Sequence, residues 1–128
     1  MNNRLWNASN PNQGDALKAL CICSAGLLRS PTVAWILSNE PYNLNTRAAG
    51  STKTFALIHA DEVLLHWADI LVFVNQENYD ETFRDYEIES FEHKQIIILD
   101  LPDRYKTRDP ELIRIANDQL ARFFDVNE

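Results

Sequence analysis

Short apolar runs with almost no polar interruption, set apart by longer amphipathic stretches, constrain this chain most. Residues 17–23, 70–74 and 95–99 are too short for ordinary helices and show no alternation of polar and apolar positions. Runs of that kind are strands covered on both faces, which is the situation in a parallel sheet flanked by crossover helices. Residues 44–49 form a poorer strand candidate. Helices are expected over residues 31–39, around 62–67, over 79–91 and from Pro110 to about Phe124. The last places Leu112, Ala116, Gln119, Leu120 and Phe123 near one stripe. The expected fold is α/β, a three-layer arrangement of a four-stranded parallel sheet with helices on both faces.

With 128 residues, 45% of them apolar, the chain has material for one domain with a real core. Residues 1–15 are rich in asparagine and read as a flexible N-terminal lead-in, and residues 16–128 as the folded domain. The start lacks an apolar signal region and no later apolar run approaches membrane-spanning length, so a cytoplasmic location is expected. A net charge of −7 without a basic stripe disfavours nucleic acid and anionic membranes as partners. Cys21 and Cys23 are too few for a disulfide scaffold and lack the second ligand pair of a zinc site. The two are expected on opposite faces of the first strand, a poor arrangement for a disulfide, with Cys21 a core residue. His59, His66 and His93 are scattered without metal-ligand spacing, and His66 reads as structural. Asp80, Glu81, Asp85, Glu87, Glu89 and Glu92 read as a solvated helix face. No metal and no cofactor is expected.

In such a sheet ligands bind at the carboxyl ends of strands, beside helix N-termini. There the chain reads Cys23-Ser24-Ala25-Gly26-Leu27-Leu28-Arg29-Ser30-Pro31-Thr32. Cys23 ends the first strand, and Ser30 and Pro31 suit the N-cap and first position of the following helix. The backbone N–H groups of Ser24, Ala25, Gly26, Leu27 and Leu28 can converge on an anion, with Gly26 easing any unusual dihedral. Arg29 can grip two phosphoryl oxygens with its planar fork. Positive potential at the helix start favours a nucleophilic Cys23 thiolate, to which Ser30 can donate a hydrogen bond. The plainer reading is a buried strand cysteine followed by a capped helix.

This segment resembles the signature of the low-molecular-weight protein tyrosine phosphatases, especially the short predicted bacterial ones. Arg47-Ala48-Ala49-Gly50, Trp67-Ala68-Asp69-Ile70 and Leu99-Asp100-Leu101-Pro102-Asp103-Arg104-Tyr105 resemble further landmarks of that family in the same order. The resemblance implies a cysteine-dependent phosphomonoester hydrolase, a protein-tyrosine phosphatase working through a phosphocysteine intermediate without a cofactor. A phosphotyrosine protein or a small aryl phosphate is the implied partner. Cys23, Arg29, Ser30 and an aspartic acid would be catalytic.

Asp103 matches the family's acid position apart from its following proline, with Asp100 the alternative. Asp109 is explained as the cap of the last helix. Tyr105 and Phe55 are candidates for the substrate pocket. Gly26 stands where the family usually has a bracing asparagine, and Ala25 where it has a glycine. These departures keep open a catalytically weak phosphate- or phosphopeptide-binding regulator. An arsenate reductase would need external thiols, because no cysteine follows Cys23.

Overall fold

The computed structural model describes residues 17–24, 29–51, 58–91, 93–102 and 108–124. Residues 1–15, the loop residues Ala25, Gly26, Leu27 and Leu28, and Phe55, Asp103 and Tyr105 lie outside the described residues.

The elements are β1 (Lys18–Cys23), α1 (Arg29–Ser38), β2 (Asn45–Gly50), α2 (Glu62–Trp67), β3 (Ile70–Phe73), α3 (Gln76–Asp85), a 3-10 turn (Ile88–Phe91), β4 (Gln95–Ile98) and α4 (Pro110–Phe123). The four strands form one parallel sheet in the order β2-β1-β3-β4. The architecture expected from the apolar runs is therefore present. Strand β1 is central, with Cys21 paired to Ala48 on one side and Val72 on the other. From β1 the chain first moves outward to β2, then returns to β3 on the opposite side. The carboxyl ends of β1 and β3 therefore meet at the point where the strand order reverses, the location favoured for ligands in open α/β sheets.

Each face of the sheet carries its own core. Ala19, Cys21 and Cys23 of β1 join Val72 and Ile97 under α1 and α4, where Val33, Leu37, Leu112, Ala116 and Leu120 meet them. Leu20 and Ile22 join Leu71, Phe73 and Ala49 under α2, α3 and the 3-10 turn, with Leu65 and Phe91. This corrects the expectation for the cysteines. Residues two apart in a strand share a face, so Cys21 and Cys23 lie side by side under α1, both as free thiols. Burial, reinforced by the neighbouring Cys23, pushes the Cys21 thiol well above the usual range and leaves it an inert core group.

Three boundaries differ from the sequence reading. Helix α1 begins at Arg29, so Ser30 is inside the first turn and buried rather than at the cap. Pro31 fits there because the first-turn N–H groups have no intrahelical acceptor. Helix α3 begins at Gln76, ahead of the expected Tyr79, and stops at Asp85; Tyr86 is extended and Ile88–Phe91 forms a separate turn. The stripe of α4 buries Leu112, Ala116 and Leu120, whereas Phe123 is exposed. Asp109 caps α4 by accepting from the Glu111 N–H at 2.9 Å, and Asp69 receives the Lys18 N–H at 2.9 Å at the entry to β3. His66 is exposed, pairs with Glu62 and lies against Phe91. Among the described residues no helix is long and apolar enough to cross a membrane.

Phe73 has no exposed surface and meets the rings of Tyr79 and Phe83 edge-on, at 5.4 and 5.8 Å between centroids. Phe73→Ala is expected to cost about 3–5 kcal/mol. Equilibrium denaturation should show the midpoint falling with the m-value unchanged.

Candidate active site

Every strand contributes its carboxyl end to one edge of the sheet. Strand β1 delivers Cys23 there, with only 3% of its surface exposed. The Cys23 thiol donates to Ser30 Oγ across 3.2 Å, and Ser30 Oγ lies 3.3 Å from the carbonyl oxygen of Ala49, to which it donates. A serine hydroxyl has one proton and two lone pairs. With a thiol at Cys23, Ser30 accepts from sulfur and donates to Ala49. With a thiolate, the same hydroxyl can turn its proton to sulfur without any movement of the backbone. Ala49 belongs to the Arg47-Ala48-Ala49-Gly50 landmark, and its carbonyl gives that segment a physical role. Gly50 extends the edge, with its N–H bonded to Ile58 and its carbonyl to Ala60. Arg47 stacks over Trp67 at 4.6 Å, and burial lowers its basicity, so it packs the outer strand against α2.

Arg29 is 4% exposed, and its Nη1 donates to the carbonyl of Leu101 across 3.2 Å. The same carbonyl accepts from Asn75 Nδ2 at 3.1 Å, while Asn75 Oδ1 accepts from the Leu101 N–H at 3.2 Å. Asn75 holds the N-cap position of α3 without a side-chain capping bond. It forgoes a cap commonly worth about 1 kcal/mol and spends both amide atoms on Leu101. The arginine, the end of β3 and the segment after β4 are thus tied at one peptide unit.

That segment is also tied at its far side. The Arg108 N–H donates to Thr32 Oγ1 of α1 at 2.8 Å, and the Arg108 guanidinium covers the Trp35 ring at 4.7 Å. Arg108 itself takes a positive φ of 61°, directly before the Asp109 cap. Both described flanks of the stretch containing Asp103 and Tyr105 therefore bond to the helix that carries Arg29. Asp100 is exposed, and its peptide is clasped by Gln119 of α4, which donates to its carbonyl at 2.9 Å and accepts from its N–H at 2.7 Å. The clasp ties the segment after β4 to α4 through Asp100's backbone.

Behind Cys23 lies a second polar group that sequence reading missed. Asn78 is 0% exposed, and its Nδ2 donates to Ser24 Oγ at 3.2 Å and to Ser51 Oγ at 3.1 Å. Ser51 donates to Glu81 Oε1 at 2.5 Å, and its N–H bonds to the Cys23 carbonyl at 2.8 Å. Glu81 is thus half-buried and engaged, which corrects its assignment to a solvated face. Asn78 Oδ1 is buried without a hydrogen-bond donor. The available signal was positional: Ser51 directly follows β2, and Asn75 and Asn78 open the helix after β3. Among the described residues no group of three His, Cys, Asp or Glu side chains gathers as a metal site.

No family model matches the sequence, and no curated protein matches it. Solved structures do. A low-molecular-weight phosphotyrosine phosphatase from Vibrio cholerae superposes with a TM-score of 0.63 at 15% identity, over 87% of this chain and 98% of that one. A YwlE mutant from Bacillus subtilis gives 0.60 at 17% identity, over 84% and 98%. The YwlE arginine phosphatase from Geobacillus stearothermophilus gives 0.56 at 18%, over 85% and 88%. The fold is shared with these phosphatases.

Asn75→Ala is expected to lose about 1–2 kcal/mol of stability, because it removes two bonds and leaves a partly buried N–H and carbonyl less well met. Chemical denaturation measures that loss. Hydrogen exchange should quicken at the Leu101 amide and remain unchanged at the amides of β1.

Proposed function

We propose that the protein is a cysteine-dependent phosphomonoester hydrolase acting on phosphotyrosine or a similar aryl phosphate. One observation carries the reading: Cys23 bonded to Ser30 at 3.2 Å, one residue from a buried Arg29, at the strand-order reversal of a fold shared with phosphatases.

Nucleophilic and acid–base catalysis follow from this arrangement. The Cys23 thiolate attacks phosphorus, an S–P bond forms and the P–O bond to the leaving group breaks. Asp103 gives its proton to the departing oxygen. Asp103 then accepts a proton from water as that water attacks phosphorus. The S–P bond breaks, inorganic phosphate leaves and the thiolate returns. Ser30 donates to the sulfur while it carries negative charge, which helps it both to attack and to leave. Arg29 spans two phosphoryl oxygens with its fork, while Leu101 and Asn75 hold it in orientation. The backbone N–H groups of residues 24–28, the anion-binding segment expected from the sequence, would complete the cradle. The position of Asp103 between Leu101 and Arg108, both bonded to α1, supports its assignment as the acid.

The test is hydrolysis of para-nitrophenyl phosphate, with phosphoarginine run beside it because one protein sharing the fold is an arginine phosphatase. The aryl ester is expected to be the better substrate. Cys23→Ser should abolish turnover, and Asp103→Asn should lower kcat by a factor on the order of 10²–10⁴. Ser30→Ala should lower it about tenfold, the effect of one hydrogen bond of ordinary strength. If only the cysteine and serine changes acted, Asp100 would become the acid. A folded, reduced protein that binds phosphate but turns over neither substrate would favour the binding regulator.

A further inference from the structure

Four polar side chains beside Cys23 form one connected line of hydrogen bonds, in which Asn78 donates to both sides. The line begins at Glu81, whose carboxylate oxygen accepts. Ser51 gives its single proton to Glu81 Oε1 at 2.5 Å. The Ser51 oxygen therefore faces Asn78 as an acceptor and takes one amide proton at 3.1 Å. The second amide proton goes to Ser24 Oγ at 3.2 Å. A flipped Asn78 amide would set its oxygen against Ser51, which has no second proton to offer, so the carboxylate fixes the amide orientation. Asn78 Oδ1 is consequently left buried without a donor. Unmet buried acceptors are uncommon, and a brace that served packing alone has no need of one.

Ser24 stands at the end of this line. Its oxygen already receives an N–H, so its own proton is available for another acceptor. Ser24 directly follows Cys23 and is half-buried at the sheet edge where Arg29 and Ser30 gather. We propose that the Ser24 hydroxyl donates to a nonbridging oxygen of the phosphoryl group on Cys23, and that Glu81, Ser51 and Asn78 are positioning residues that aim it. The inference rests on the phosphatase reading and adds a side-chain donor to the backbone cradle.

The test uses the full chain, with para-nitrophenyl phosphate as substrate and orthovanadate as the transition-state mimic. Ser24→Ala is expected to lower kcat about five- to tenfold and to weaken vanadate inhibition by a similar factor, as for one lost hydrogen bond. The melting temperature should stay within a few degrees, and Ser24→Thr, which keeps the hydroxyl, should restore most of both losses. Glu81→Ala should lower kcat about threefold in the parent protein and have no further effect in Ser24→Ala, since the carboxylate acts through that hydroxyl. Unchanged kcat and vanadate affinity in Ser24→Ala would overturn the proposal. So would an equal effect of Glu81→Ala in both backgrounds. A parent protein that neither hydrolyses the ester nor binds vanadate would instead remove the phosphatase reading, and this inference with it.

Discussion

The carbonyl oxygen of Leu101 is the joint on which the site depends. It accepts from Arg29 on α1 and from Asn75 at the end of β3, while the Leu101 N–H is held by Asn75 and by the Val74 carbonyl. A buried guanidinium is expensive to desolvate, and the cost falls only when its donors meet acceptors in good geometry. Leu101 supplies one such acceptor without a second charge. Through that bond the carbonyl sets the orientation of the guanidinium fork.

The rigidity behind that joint comes from β1. It is paired on both sides, and Ala19 to Cys23 are sealed between two cores. Moving Cys23 would mean breaking ladders to β2 and β3 together and exposing apolar surface on both faces. A side chain placed this way needs little support of its own. Ser30 reaches its sulfur through one hydroxyl, which also bonds the Ala49 carbonyl.

Much of this was legible in the sequence, for physical reasons that also mark where legibility stopped. The runs at β1, β3 and β4 announce themselves because strands covered on both faces must be apolar throughout. Helix α4 was readable because Asp109 and Pro110 open it and Leu112, Ala116 and Leu120 repeat at helical spacing. Helix α3 was misplaced because its first turn, Gln76-Glu77-Asn78, presents no apolar residue to reveal a period. Its end was missed because Phe83 and Phe91 pack together across the break. The meeting of Cys23 with Ser30 and the placement of Arg29 beside them are local and could be read from one segment. Asn75, Asn78, Ser51 and Glu81 depend on which strand ends meet, and that is set by the order β2-β1-β3-β4, not by any run of letters.

The same dependence resolves an electrostatic oddity. A chain of net charge −7 repels phosphate at long range, yet salt screens that repulsion over roughly 8 Å under physiological conditions. At contact the balance changes sign. A unit charge 4 Å away is worth about 1 kcal/mol in water and about 4 kcal/mol in the partly desolvated surroundings of a site such as this, so one buried arginine outweighs many distant carboxylates. Glu81 accepts the Ser51 proton and is separated from Ser24 by Ser51 and Asn78. A surface of net negative charge and the anion site proposed beside Arg29 are therefore compatible, because contact distance and local desolvation outweigh the screened repulsion.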